Sequence, residues 1–181
     1  MKQSQRQNFE EERLIMKKIL SAILAGVMVL GLVGCGSKGG DSSSAKDVPT
    51  ADLVNTVVES KEIQMRALGP VEGELAETTF HLNPDDVEEY TIQKGMINTG
   101  LETVAVVRAK EGKVDAVKAS LEEYLKDLKA LALYPGEPEA VEGAALEVVG
   151  NYVIVTVVPD YEGTGTNFSE KAANMIKDAL K

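Results

Sequence analysis

The stretch Thr103-Val104-Ala105-Val106-Val107-Arg108-Ala109, followed closely by Lys113 to Ala132 (KVDAVKASLEEYLKDLKALA), decides how this chain folds. TVAVVRA is a nearly unbroken run of β-branched and small residues. It lacks the polar residue at every second position that marks a half-wet strand, so it predicts a central strand with both faces covered. In the segment after it, Val114, Val117, Leu121, Tyr124, Leu128 and Leu131 recur at spacings of three and four, the apolar stripe of an amphipathic helix. Glu122 and Lys126 form an i,i+4 pair on its wet face, and Tyr134-Pro135-Gly136 stops it.

Working outward, Thr91 to Ile97 and Leu101 to Lys110 read as a β-hairpin across Asn98-Thr99-Gly100. Leu146 to Val149 and Tyr152 to Val158 read as a second hairpin, with Gly150-Asn151 as a two-residue turn of type II′ or I′. Asn167 and Glu170 resemble a capping box that opens a final helix, striped by Ala172, Met175, Ile176, Ala179 and Leu180. Towards the N-terminus, Thr50 is a candidate cap for a helix from Ala51 to about Glu62, with Leu53, Val54, Val57 and Val58 on one face. Gly69-Pro70 and Gly73 interrupt the chain beyond it, and a short helix is expected at Glu74 to Thr79. Asn83-Pro84-Asp85-Asp86 reads as a brief helix start with Val87 and Tyr90 turned inward, and Pro138 to Glu142 as one more short turn. These elements predict an α+β fold over residues 50–181: a mostly antiparallel four-stranded sheet of two hairpins, with helices packed on it.

Ahead of this domain stands Met16 to Cys35, MKKILSAILAGVMVLGLVGC. Lys17 and Lys18 form a short positive n-region. Ile19 to Val33 is uncharged, has the length of a signal-peptide core and falls short of the ~20 apolar residues of a membrane-spanning helix. Leu32-Val33-Gly34-Cys35 resembles the lipobox of bacterial lipoproteins. The resemblance implies cleavage between Gly34 and Cys35, and a diacylglyceryl group with palmitate-type chains on the Cys35 sulfur. Two such chains, at ~0.8 kcal/mol per buried CH₂, hold a protein on a membrane where one binds only marginally. The competing readings are an uncleaved anchor and a secretory signal with an incidental cysteine. Residues 1–15 are polar and carry Glu10-Glu11-Glu12, which fits a bacterial n-region badly. We read them as a non-native upstream extension, with translation starting at Met16 and purine-rich glutamate codons in the place of a ribosome-binding site. A genuine cytoplasmic extension is the alternative. Residues 35–49 are rich in glycine and serine and are expected to form a flexible tether.

Composition narrows the partners. From Cys35 onward, 14 Lys and Arg stand against 26 Asp and Glu, a net charge of −12. That argues against nucleic acid and against electrostatic attachment to anionic lipid. Cys35 is the only cysteine, so no disulfide forms within the chain.

The run Asn83-Pro84-Asp85-Asp86-Val87-Glu88-Glu89-Tyr90, the strand at Glu102 to Val107, the long helix, Tyr134-Pro135 and Gly150-Asn151-Tyr152-Val153 follow in sequence. In that order they resemble the domain of unknown function 4358 (DUF4358), found in lipoproteins of Gram-positive, largely clostridial bacteria. The resemblance covers roughly Thr50 to Asp160. It implies a lipoprotein of the cell membrane and carries no activity, substrate or cofactor across to this chain.

No motif names a reaction, and no cofactor is expected. His81 is the sole histidine; it stands before the expected helix start, where packing or hydrogen bonding is its first reading and catalysis the second. Asp85, Asp86, Glu88 and Glu89 form the densest carboxylate group. They read as acids favoured by a helix N-terminus, or else as a weak calcium site without EF-hand spacing. Glu102 opens the central strand and is expected to pair with Arg108 or Lys94. Gly163 and Gly165 are too sparse for a phosphate loop, and with no tryptophan a sugar-stacking platform is poorly supplied. Three functions remain open. The first is a non-enzymatic binding or interaction domain, tethered by the lipid on Cys35 to the extracytoplasmic face of the cell membrane and taking a protein or small-molecule partner. The second is an accessory or structural envelope component acting with membrane proteins, and the third a carboxylate-dependent hydrolase.

Overall fold

The computed structural model describes residues 45–97 and 100–181. The segments 1–15 and 16–34, the Gly34–Cys35 junction, the tether up to residue 44 and the turn residues 98–99 lie outside them. Among the described residues no helix is long and apolar enough to cross a membrane.

Within the described residues ten elements follow in order: α1 (Thr50–Val58), β1 (Leu68–Pro70), α2 (Glu74–Thr79), β2 (Val87–Gly95), β3 (Thr103–Ala109), α3 (Val114–Leu131), α4 (Glu137–Glu142), β4 (Ala145–Val149), β5 (Tyr152–Val157) and α5 (Phe168–Ala179). The fold is α+β around one antiparallel sheet of order β1-β2-β3-β5-β4.

β3 is the middle strand, and every residue in it but Arg108 is buried. Its pleat feeds two cores. Ala105, Val107 and Ala109 face one cluster with Leu121, Tyr124 and Leu128 of α3; Val104 and Val106 face the other with Leu53, Val54 and Val57 of α1 and Ile176 of α5. β5 divides in the same way, Val153 and Val155 on the first side and Ile154 on the second. Helices on both faces explain why neither strand alternates polar with apolar residues. Gly150, at φ +60 with Asn151 outside the positive-φ region, turns β4 into β5 as a type II′ turn does.

Several expectations are corrected. The sheet has five strands rather than four. β1 is three residues long, carries a glycine and a proline, and lies at an edge, where a missing N–H costs least. β2 begins at Val87, not Thr91, and the helix expected after Asn83 is a single turn: Asn83 Oδ1 accepts from Asp85 N–H at 3.0 Å, and its carbonyl from Asp86 N–H at 2.9 Å. Val87 and Tyr90 do pack on the core, from a strand. α1 ends at Val58. Thr50 lies inside its first turn and is fully buried, with Oγ1 2.9 Å from Thr91 Oγ1. On α3, Leu131 is 66% exposed. Lys126 pairs with Glu123 rather than Glu122, which takes Lys118.

The end of the expected tether is docked. Lys46 N–H donates to Leu180 O at 3.0 Å; Tyr152 Oη accepts from Val48 N–H at 3.0 Å and donates to Val48 O at 2.8 Å; Asp47 pairs with Arg108. Residues 45–49 thus strap across the Ala109 end of the sheet.

Candidate cleft at the Thr103 end of the sheet

β3 starts and β5 finishes at the opposite end from this strap, because the two run antiparallel with Thr103 beside Val157. The chain leaves the core there on both sides of the β2–β3 connection (95–97 and 100–101), at the Tyr134-Pro135-Gly136 bend after α3, and at Pro159 to Tyr161 after β5. Between them opens a cleft of about 760 Å³, lined by Ile97, Leu101, Glu102, the Tyr134 to Glu137 bend and Pro159 to Tyr161.

The chain folds this way locally for identifiable reasons. Gly100 has φ +64, and a Cβ on it would lie 2.7 Å from Gly95 O, so the β2–β3 connection closes only on glycine there. Lys94 Nζ donates to Gly100 O and, at 3.3 Å, to Tyr124 Oη. Tyr124 Oη is 2.6 Å from Thr103 Oγ1, and its ring stacks on Phe80 with centroids 4.0 Å apart. Burial lowers the Lys94 amine to a pKa of about 8 and pushes the Tyr124 phenol well above its ordinary value. At the bend, Glu137 Oε2 accepts from the N–H groups of Leu133 and Tyr134, both at 3.1 Å.

Glu102 forms the floor. It is 3% exposed, and Oε1 accepts from Arg66 N–H at 3.0 Å. Burial first, and the neighbouring Glu102 carboxylate second, raise the Tyr161 phenol to about 12. The Arg66 guanidinium lies over the Tyr161 ring, 3.7 Å from its centroid. Asp160 holds the following loop: Oδ2 accepts from Gly165 N–H at 2.7 Å and Thr164 Oγ1 at 3.2 Å, and Oδ1 from Glu162 N–H at 3.3 Å. Partial desolvation opposes ionisation here, but these bonds together bring the carboxyl below its usual range.

The residues singled out from sequence fall elsewhere, Glu102 excepted. Glu102 pairs with neither Arg108 nor Lys94. Arg108 instead collects Asp47, Glu88 and Glu89, the last at 3.1 Å. A register shift between Val87 and Glu89 sets these consecutive glutamates against one arginine. Asp86 pairs with Lys113 at 2.7 Å. The carboxylate group is therefore an ion-paired face of a strand and turn rather than a helix N-terminus. His81, in the left-handed region at φ +56, bonds Asp127 Oδ2 through Nε2 at 2.8 Å and ties the turn after α2 to α3. Among the described residues, no three of His, Cys, Asp and Glu converge as metal ligands. Gly163 and Gly165 serve the Asp160 loop. Cys35 and Gly34 lie outside the described residues.

Tyr134 and Tyr161, the aromatic walls of the cleft, escape a reading of the sequence, as does Arg66. By sequence Tyr134 is part of a helix stop and of a motif carrying the family resemblance, with no role in a site. The available signal is the pair of tyrosines set in Pro- and Gly-containing turns, outside any apolar period.

No curated protein and no solved structure matches this chain. A family model does: that of a domain of unknown function, DUF4358, over residues 61–158. The match runs from the loop before β1 through β5 and takes in the central sheet, α3 and the Glu102 floor of the cleft. Since it spans just over half of the chain, this protein belongs to the DUF4358 family.

Proposed function

We propose that this protein is a lipid-anchored, extracytoplasmic binding module, and that the cleft between Tyr134 and Tyr161 is its binding site. One observation carries the binding reading: Ile97, Tyr134 and Tyr161 are all exposed around a single cleft, at 44%, 66% and 42%. Large apolar side chains gathered on one exposed surface mark interaction sites. A concave site of this volume, lined by both apolar and polar groups, suits a ligand or an anchor side chain. The polar groups of the cleft favour binding over turnover. Asp160 is held on the acidic side by its loop, whereas a carboxyl acting as a general acid needs the opposite shift.

The anchor reading rests on Lys17-Lys18, the apolar run to Val33 and Leu32-Val33-Gly34-Cys35. A fatty-acid analogue fed to cells should label the wild-type protein and leave Cys35→Ser unlabelled; equal label in both overturns it. For the module, crosslinking of the lipidated protein in its own membranes should recover a partner that is lost in Tyr134→Glu. A partner set unchanged by that substitution overturns the cleft as the site. Reproducible turnover of any pooled hydrolase substrate, lost in Glu102→Gln, replaces the binding reading with an enzymatic one.

A further inference from the structure

We propose that residues 45–48 of the strap are a latch: they undock as a unit while the rest of the domain stays folded, and so give the chain ahead of the domain two lengths. The two lengths rest on the anchor reading above; the opening itself does not.

The strap is lightly held. Lys46 N–H is bonded to Leu180 O, Asp47 is paired with Arg108, and Val48 is bonded through both its N–H and its C=O to the Tyr152 hydroxyl. The Asp47 side chain is 88% exposed, and an ion pair so open to water contributes little. Ala45 and Val48 pack on the second core, but both are only half-buried. Under the strap lies a cavity of about 190 Å³, lined by Ala45, Lys46 and Asp47 on one side and Glu88, Arg108, Asn151 and Tyr152 on the other. It is polar and holds several waters' worth of space. Water therefore meets the groups that the strap releases without any shift in the core.

Opening leaves no buried charge alone. Arg108 loses Asp47 and keeps Glu88 and Glu89. The Tyr152 ring stays in the second core, and its hydroxyl exchanges Val48 for water. Lys46, Asp47 and Val48 each stand one peptide step apart and dock on three elements, α5, β3 and β5, so the release of one loosens the next.

Opening also stops at a defined place. The Pro49 carbonyl accepts from the N–H groups of Asp52 and Leu53, at 3.1 and 3.3 Å, and belongs to the first turn of α1. Thr50, Leu53, Val54 and Val57 behind it are all 0% exposed. A segment held mainly by exposed polar contacts opens at far lower cost than a helix buried in this way. A pull along the preceding chain reaches Lys46, Asp47 and Val48 before any residue of the sheet. In the anchored protein, release moves the junction from Ala45 to Pro49. Fourteen residue steps then separate it from Cys35, and the reach grows from about 35 Å to about 50 Å.

The test begins with NMR hydrogen exchange at single amides of the full chain in detergent. The Lys46 and Val48 amides should exchange at least about a hundredfold faster than those of β5, at rates that do not respond to denaturant below the unfolding transition. Asp47→Arg sets a like charge against Arg108 at an exposed position. It should speed both amides together, by at least about tenfold, and leave β5 unchanged. Exchange of Val48 that follows β5 through the denaturant series overturns the latch, as does an Asp47→Arg that speeds one amide alone or neither. The lengths are read on the lipidated protein, bound to phosphatidylcholine vesicles with an acceptor dye in the headgroups and a donor on Ala119→Cys, an exposed position of α3. Energy transfer should fall in Asp47→Arg. Unchanged transfer, with the strap open by exchange, overturns the two lengths. A protein that stays off the vesicles removes them together with the anchor reading, and exchange alone then decides the latch.

Discussion

Lys94 shows how a single side chain can be set by its surroundings. Its amine is drawn into the sheet end between Gly100 O and the Tyr124 ring, 5.5 Å from that ring's centroid, and burial brings its pKa from 10.5 to about 8. Linkage fixes the sign of the consequence. Between about pH 8 and 10.5 the unfolded chain holds a proton on this amine that the folded chain has released, so its contribution to stability rises with pH across that window. Below about 8 both states are protonated and the full cost of burying the charge is present. The stability of wild type relative to Lys94→Met should therefore improve as pH is raised from 8 towards 10. Paired denaturation curves at pH 7, 8, 9 and 10 check this, and a difference that does not change with pH refutes it. Glu102 was legible as a buried acid from its position at the head of TVAVVRA. Its partner was not, because Arg66 lies 36 residues earlier.

Among the elements, α3 covers one core. Leu121 and Leu128 are 0% and 4% exposed and face β3 and β5. Truncating either to alanine should cost roughly 2–5 kcal/mol. Leu131→Ala should cost no more than about 0.5 kcal/mol, because at the end of this helix the inward face narrows to Leu128 and Ala132 and Leu131 turns to solvent. The ratio of denaturant midpoints among the three variants is the measurement; a Leu131→Ala as damaging as Leu121→Ala would reverse the assigned face. α5 offers a local test. Asn167 Oδ1 accepts from Glu170 N–H at 3.0 Å, so Asn167→Ala should destabilise by about 1 kcal/mol, and Asn167→Ser by less. Equal losses in the two would mean that the cap hydrogen bond contributes nothing.

For the whole molecule, the strap of residues 45–49 decides where the preceding chain joins the domain. Tyr152 Oη both accepts from and donates to Val48, and Lys46 is bonded to the last turn of the chain at Leu180. Removing the hydroxyl in Tyr152→Phe should cost about 1–3 kcal/mol, since Val48 N–H and C=O lose a partner together. It should also speed hydrogen exchange at Val48 well above that of β5. Exchange at Val48 equal to wild type would show that Asp47–Arg108 and the Lys46 bond hold the strap unaided. With the strap docked, ten residue steps separate Cys35 from Ala45, a reach of at most about 35 Å.

The sequence alone determined whatever depends on local chemistry: the buried strand TVAVVRA, the long helix behind it, the Gly150-Asn151 turn, the Asn167 cap and the antiparallel α+β class. Each of these is set by periodicity or backbone preference within a dozen residues, which survive any change in distant surroundings. The DUF4358 resemblance, carried by motifs in their order, holds for the same reason. Tertiary structure alone decided the rest. β1 exists because β2 offers an edge, not because Leu68-Gly69-Pro70 favours extension. Glu88 and Glu89 became partners of Arg108 through a shift in strand register. The cleft arose where three segments distant in sequence leave one end of the sheet together, bringing Glu102, Tyr134 and Tyr161 around one space. No local window contains such a convergence, since it is set by strand order and by the antiparallel run of β3 against β5.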